Sequence, residues 1–193
     1  MTTDDPIIRF RQLLAQAEEL GIELPNAAAF ATAGKDLQPT VRILLLKDVD
    51  DRGFVFYTNM QSRKAVQISE NPRASVCFWW PQLQQQVRVE GRLESVDDAE
   101  ADAYFSTRPR GSQIAAWASN QSSEILSRAE LMSAVAALTE KYNEQPVPRP
   151  PHWSGYRLAP ERIEFWMEQP DRLHERWVYT RERDGWKVAL LAP

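Results

Sequence analysis

Cysteine occurs once in these 193 residues, as Cys77, so no internal disulfide can form. Its place in the apolar run Val76-Cys77-Phe78-Trp79-Trp80 reads as a buried thiol in a chain suited to a reducing compartment. Histidine is scarce, with two residues, and no metal site is expected. Positive charge is not in excess: 23 Lys and Arg against 27 Asp and Glu leave a net charge of −4. That balance argues against a nucleic-acid partner, whose phosphates call for a basic surplus, but it leaves room for a local basic pocket and a small anion. No apolar run approaches the roughly 18 residues that cross a bilayer. The opening Met1-Thr2-Thr3-Asp4-Asp5-Pro6 also lacks the basic and apolar regions of a secretory signal, so no membrane partner and a cytoplasmic location are expected. What is present, 43% hydrophobic and 26% charged residues, suits one domain over residues 1–193 with a real core. Internal repeats are absent, and the proline-rich stretch 145–151 reads as an extended connector rather than a boundary.

Asp5 is placed to cap a first helix, with Pro6 in its first turn and Ile7, Phe10, Leu13, Leu14 and Ala17 as its apolar stripe up to Gly21. Strands are expected over 27–33, 41–47 and 53–59, the last two joined by a hairpin turn through 48–52. The middle strand, with Ile43, Leu44, Leu45 and Leu46 between Arg42 and Lys47, reads as buried on both faces. A short helix over 62–70 stops before Asn71-Pro72, and strands follow over 73–80 and 84–95. Asp97-x-x-Glu100 and Ser127-x-x-Glu130 resemble capping boxes, the second opening a helix through Tyr142 with Leu131, Val135 and Leu138 inward. Asp184-Gly185 is a hairpin signal between strands over 177–182 and 186–191. Short strands with helices between them predict a mainly β, antiparallel, closed barrel with peripheral helices.

Three clusters carry the chemistry. Asn59-x-x-Ser62-Arg63-Lys64 sets a hydroxyl, two cations and free amides at a helix start, a seat for phosphate that Arg42 can reinforce. Tyr104-x-x-x-Arg108-x-x-x-Ser112 offers a phenol, a guanidinium and a hydroxyl, with Tyr104 and Arg108 on one helical face and Pro109 breaking the helix beyond them. Each cluster alone also reads as a solvated surface. Arg172-Leu173-His174-Glu175-Arg176 places two arginines and a histidine at alternate positions, so that a strand would point all three from one face. Two phosphate seats imply two phosphorylated ligands in one site. Gln86 and Gln121-Ser122 can donate and accept hydrogen bonds, as the edge of a flavin requires.

These residues fall within a longer ordered set. It runs through Arg42-Ile-Leu-Leu-Leu-Lys47, Phe54-Val-Phe-Tyr57-Thr58-Asn59, Ser62-Arg63-Lys64-Ala65, Gln86-Val87 and Tyr104-Phe105-x-x-Arg108-Pro109. Ser112-Gln113-Ile114, Ala116-Trp117-Ala118-Ser119-x-Gln121-Ser122, Glu164-Phe165-Trp166, Arg172-Leu173-His174 and Leu191-Ala192-Pro193 continue it. From about Pro25 to Pro193 the chain resembles the pyridoxamine/pyridoxine 5′-phosphate oxidase family of vitamin B6 metabolism. The resemblance implies a six-stranded FMN-binding split barrel and a homodimer with FMN in clefts at the subunit interface. It implies FMN contacts at Arg42, Ile43, Leu44, Leu45, Leu46, Lys47, Tyr57, Thr58, Arg63, Lys64, Gln86, Gln121, Ser122, Trp166 and Arg176. Substrate contacts are implied at Lys47, Tyr104, Arg108, Ser112, Arg172, Leu173 and His174, with Arg172 and His174 catalytic.

The implied reaction passes a hydride from the substrate carbon beside the pyridine ring to the flavin, after which dioxygen reoxidises it to give hydrogen peroxide, and the amine substrate releases ammonia. Arg172 would hold the pyridine ring against the flavin, and His174 would bond its substituents or assist proton movement. The chain departs from the family pattern at Gln85, where arginine is common, at Met167-Glu168-Gln169, which replaces Gln-Gly-Gly, and at Glu175, where aspartate is common. Two other readings stay open: a same-fold oxidase on another substrate, as in phenazine-pathway relatives, or a non-catalytic flavin- or pyridoxal-phosphate-binding protein. The complete set Lys47, Tyr104, Arg108 and Ser112 argues against the first, and intact Arg172 and His174 against the second.

Overall fold

The computed structural model describes residues 5–193; Met1–Asp4, which belong to the amino-terminal stretch read above for a signal, lie outside the described residues. Helix α1 (Pro6–Glu19) begins where Asp5 accepts from the Ile7 and Ile8 amides, as its capping residue should. Strand β1 (Ala27–Ala33) pairs with β2 (Pro39–Leu45), and β3 (Asp48–Asp50) forms a tight hairpin with β4 (Gly53–Asn59). Gly53 sits at φ +139°, where an added Cβ would lie 2.1 Å from the Leu158 carbonyl oxygen, so only glycine fits that turn. Helix α2 (Arg63–Glu70) leads to the hairpin of β5 (Arg73–Trp80) and β6 (Gln85–Ser95). Helices α3 (Asp98–Thr107), α4 (Arg110–Ala118) and α5 (Arg128–Lys141) follow, then the long β7 (Trp153–Met167) and the hairpin β8 (Glu175–Glu182) and β9 (Gly185–Leu191).

All strands join one antiparallel sheet in the order β2-β1-β5-β6-β7-β4-β3, with β8 and β9 continuing from β7. The two ends of that path, β2 and β3, are consecutive in the chain and separated only by Leu46 and Lys47, so the sheet must curl to bring its ends together. The Lys47 amide donates to the Val55 carbonyl across that seam. Six strands (β1, β2 and β4–β7) make the curled body expected from the sequence, and β3 and the β8–β9 hairpin bring the sheet to nine. β7 is where the sheet splits: its first half pairs with β4 and its second with β8, while β6 follows the other edge throughout. Helix α1 closes the barrel with Phe10, whose ring meets Phe54 at 4.8 Å and Phe78 at 4.9 Å edge-on.

The turn at 51–52 closes β3 onto β4, not the strand read over 41–47, which pairs with β1 as β2. Three further expectations need correction. The apolar run of β2 is not buried on both faces. Val41 and Ile43 are 67% and 64% exposed, Leu44 is half-buried against the core, and Leu46, just past the strand, is the residue of the run that is fully buried. Apolar character alone cannot distinguish a core strand from one that awaits a partner. Second, α3 ends at Thr107 and Arg108 is extended, so Tyr104 and Arg108 do not share a helical face; the break at Pro109 falls as expected, and Pro109 is also the N-cap of α4. Third, residues 170–172 form a single 3-10 turn with Asp171 and Arg172 at φ 56° and 62°, and β8 starts only at Glu175. Arg172 and His174 therefore do not share a strand face with Arg176.

Candidate functional site

The first seat forms where β4 hands over to α2. Thr58 and Asn59 end β4, and Ser62 caps α2 by conformation only, since its hydroxyl turns back to donate to the Asn59 carbonyl at 2.7 Å. Lys64 is drawn inward: its Nζ donates to Thr58 Oγ1 at 3.0 Å, Ser62 Oγ at 3.1 Å and Gln121 Oε1 at 2.6 Å. Burial, and then the neighbouring Arg42 charge, lower its pKa to about 8. Arg42 is pinned from the other side by Phe30 O and the Thr32 and Thr40 hydroxyls, both of which donate to Gln67 Oε1 of α2. Burial and the adjacent Arg63 depress the Arg42 guanidinium as well. The Arg63 amide donates to Ser122 Oγ at 3.3 Å. Among the described residues no carboxylate lies within 4.0 Å of Arg42, Arg63 or Lys64. Three crowded cations and a helix start fit a phosphate monoester.

The second seat is built on α3 and α4. Asp97 caps α3 by accepting from the Glu100 amide at 2.7 Å, and buried Arg157 of β7 holds the same helix through Glu100 at 2.8 Å. Tyr104 then stacks on Tyr57 of β4 at 4.2 Å, and Tyr57 on Trp153 at 5.2 Å. Gly155 makes this possible, because a Cβ there would come within 2.7 Å of the Tyr57 ring. Burial first, then the Glu100 charge, push the Tyr57 phenol up to about 12, so it serves as a neutral donor. Arg108 lies over the Trp153 ring at 4.7 Å, and its Nη1 is buried with no hydrogen-bond partner. An unpartnered buried guanidinium nitrogen is costly and calls for an acceptor from outside the chain.

Two cavities open here. One of about 340 Å³ is lined by Leu44, Tyr57, Thr58, Arg108, Ser112 and Gln121 among others; one of about 610 Å³ by Ile43, Leu44, Leu45, Lys47, Tyr104 and Arg108 among others. They share Leu44, Tyr57, Arg108 and Ser112, so they form one space; Arg108 and Ser112 of the second seat line it directly, while the first seat reaches it through Thr58 and Gln121, both bonded to Lys64 Nζ, and its cations stand behind that wall. Leu46 stands apart with its side chain in the core, its amide bound to Asn26 O and its carbonyl to Asn26 Nδ2.

A third group lies on the β6–β7–β8 sheet and lines neither cavity. Gln86 pairs in register with Trp79 on one side and Trp166 on the other. The Trp166 ring carries His174 at 4.5 Å and meets Trp79 edge-on at 6.0 Å. His174 Nδ1 accepts the Gln169 amide at 3.2 Å, a bond that assigns the ring's N–H to Nε2. Arg172 and Leu173 are exposed on their turn. The glycines replaced by Glu168 and Gln169 are not missed by the backbone, because neither residue has positive φ. Arg176, paired with Trp166 across β7 and β8, is bound to the buried Glu164. Sequence reasoning did not single out Trp153 or Trp79. Trp153 follows the proline-rich connector and has no local signature, whereas Trp79 sits at an outward position of β5 opposite Gln86, a signal that was available.

Comparison with known proteins bears on the family and the fold. The family model described as pyridoxamine 5′-phosphate oxidase matches residues 13–167, and that described as pyridoxine 5′-phosphate oxidase C-terminal dimerisation region matches 153–193. The chain is 54% identical over 193 residues to the pyridoxine/pyridoxamine 5′-phosphate oxidase of Myxococcus xanthus strain DK1622, covering 100% of this chain and 94% of the relative. It is 52% identical over 189 residues to the enzyme of the same name from Anaeromyxobacter dehalogenans, covering 98% of this chain and 96% of the relative. Among solved structures, PhzG from Burkholderia lata 383, in complex with tetrahydrophenazine-1-carboxylic acid, superimposes with a TM-score of 0.94 at 34% identity, covering 99% of this chain and 94% of that one. Matches over nearly the whole length, at half identity and on the same split-barrel frame, leave one assignment: the chain belongs to the pyridoxamine 5′-phosphate oxidase family, a family of flavin-dependent oxidoreductases.

Proposed function

We propose that the protein is an FMN-dependent oxidase that converts pyridoxamine 5′-phosphate and pyridoxine 5′-phosphate to pyridoxal 5′-phosphate, with dioxygen as electron acceptor, hydrogen peroxide as co-product and ammonia released from the amine. The observation that carries this reading is the pair of cationic clusters, one at Arg42, Arg63 and Lys64 behind the Thr58–Gln121 wall and one at Lys47 and Arg108, on the two sides of one cavity system. Arg42, Arg63, Lys64 and Ser122 would hold the cofactor phosphate, with Thr58 and Gln121 on the same wall. Lys47, Tyr104, Arg108 and Ser112 would hold the substrate phosphate. FMN supplies the hydride acceptor and the reaction with dioxygen; the protein supplies placement, charge and exclusion of water. Arg172 would orient the pyridine ring, and His174, with its Nε2 donor free, would bond the ring substituents.

Gln86, Trp166, Arg172, His174 and Arg176 line neither cavity of their own chain. We infer that a second copy brings them to the site. The exposed apolar residues Val41, Ile43, Leu173 and Leu190 offer the surface for that association, and the match of residues 153–193 to a dimerisation region supports it.

The test is anaerobic mixing of flavin-loaded protein with pyridoxine 5′-phosphate, following the oxidised flavin band, and then admission of air. Bleaching, then recovery with pyridoxal 5′-phosphate and peroxide formed, is the expected result. The similarity to PhzG favours a second reading, oxidation of a tetrahydrophenazine carboxylate, and bleaching by that compound alone would establish it. A band that neither compound bleaches would leave a binding role.

Lys64 makes FMN affinity pH-dependent. A bound phosphate is a dianion above its second pKa of about 6 and favours the ammonium, whereas the free protein loses that proton as pH rises through about 8. Affinity should be level between about pH 7 and 8 and then fall by at most about tenfold per pH unit. The Lys64→Arg protein should show no such fall in a flavin-fluorescence titration up to about pH 9.5, because a guanidinium stays charged there. A wild-type profile that is flat to the same pH would remove Lys64 from the seat. The sign for folding is opposite: the unliganded fold gains stability as pH rises from about 8 toward 10.5, where the unfolded chain holds the proton more tightly.

A further inference from the structure

We infer that Glu164 and the chain's last residues are positioning groups for Arg176, fixing its guanidinium toward the flavin; this rests on the cofactor reading above. Both Glu164 and the Leu191-Ala192-Pro193 end belong to the ordered set in the sequence, yet neither reaches the cavities. The structure gives them one shared neighbour. Arg176 donates from Nε at 2.9 Å to Glu164 Oε1, which also lies 2.9 Å from Nη2, and from Nη1 at 3.0 Å to the Ala192 carbonyl. A guanidinium has five N–H groups; three are taken inside the chain, and one remains on each terminal nitrogen for a ligand.

The carboxylate that performs this is itself held without slack. Glu164 is 2% exposed on β7, and its second oxygen receives Arg88 of β6 at 2.5 Å and Arg162 at 3.1 Å. Burial alone would raise its pKa, but the hydrogen bonds from Arg176 and Arg88 bring it below the ordinary carboxylate range, so it stays charged. The tail acts from the opposite side. β9 pairs Leu191 with Arg176, which sets Ala192 one residue beyond the end of the ladder, with its carbonyl free to accept. Arg162 has a second carboxylate in Glu90 at 3.4 Å, so three arginines share two carboxylates and one positive charge is left over, which an interstrand tie alone does not need and an electron-rich ligand does. Trp166, the in-register partner of Arg176, lies on the same pair of strands, so the clamp holds Arg176 beside an aromatic wall.

The rival explanation is a purely structural knot between β6, β7 and β8, and a double-mutant cycle separates the two. FMN binding by flavin-stripped full-length protein is measured by fluorescence quenching for wild type, Arg176→Ala, Glu164→Gln and a chain ending at Ala189. The last removes the Ala192 acceptor and places its own carboxylate opposite Val178, away from Arg176; because it also loses Leu190 of the association surface, Leu190→Ala is measured in both backgrounds as its reference. Glu164→Gln and the shortened chain should each weaken FMN by about tenfold, the usual effect of losing one charge-assisted hydrogen bond. In the Arg176→Ala background neither change should weaken it further, because the group they position is gone. Equal losses in both backgrounds would assign the effect to general structure and overturn the proposal, as would wild-type affinity in Arg176→Ala. A wild-type protein that binds no FMN would instead refute the cofactor reading itself, an outcome distinct from either.

Discussion

Arg108→Ala is expected to lower kcat/KM for pyridoxine 5′-phosphate by 10²- to 10³-fold while leaving FMN affinity within about twofold of wild type. The magnitude follows from what the side chain has to offer. Its Nη1 is buried without a partner, and burial depresses the guanidinium's pKa, so the unliganded chain carries a desolvated charge with no acceptor. A phosphate dianion arriving there makes two charge-assisted bonds at little further desolvation cost, worth together about 3–4 kcal/mol. The loss should fall mainly on KM, because the phosphate is remote from the reacting carbon and is held alike in ground and transition states. Arg108→Lys should recover only part, since an ammonium keeps the charge and loses the fork and the flat contact with Trp153. The decisive measurement is the ratio of kcat/KM for pyridoxine 5′-phosphate to that for pyridoxine, in wild type and variant. The ratio should collapse toward one; an unchanged ratio would show that this seat does not bind the phosphate.

Much of this frame was legible before any coordinates. Asp5, Asp97 and Ser127 each accept from an amide two or three residues on, because short polar acceptors before an apolar stripe have few other uses. Strands β1, β4 and β5 fall at 27–33, 53–59 and 73–80 as expected, bounded by turns whose residues cannot continue a ladder. What was illegible is non-local. The apolar run of β2 reads identically whether it enters a core or waits for a partner, and here it waits. Pro109 reads as a break and is one, but that α4 begins just beyond it, on a proline that needs no amide partner at a helix start, was not legible. The site residues could be named one by one, but not their separation into a seat on β4, α2, α3 and α4 and a group on β6–β8, which depends on how a single chain curls. The role of Glu164 depends on arginines from β6 and β8 that lie 76 and 12 residues away.

Arg172→Leu should reduce kcat by about 100-fold, near 2.7 kcal/mol, with FMN still bound. The sequence pattern put Arg172 on a strand face, where it would be one of a row. The structure puts it on a turn in which two successive non-glycine residues, Asp171 and Arg172, hold positive φ. Each such residue costs about 1 kcal/mol or more, and although Leu24, Leu37, Gln84, Ser122 and Glu144 also hold positive φ, only here are two such residues consecutive. The cost is intelligible if the turn presents the Arg172 side chain where a relaxed strand would not. Among the described residues no carboxylate lies within ion-pairing distance of it, so its charge is available to a ligand. Leucine keeps the bulk and removes the charge and the planar donors, so a substrate ring would still enter but would no longer be held flat for transfer. Cofactor binding should survive because the phosphate seat at Arg42, Arg63 and Lys64 is built on other elements. Single-turnover bleaching of the flavin band isolates this step from substrate capture and from reoxidation. A bleaching rate equal to wild type would leave the strained turn without a catalytic purpose, whereas a slow rate at saturating substrate would identify Arg172 as the group that orients the ring for hydride transfer.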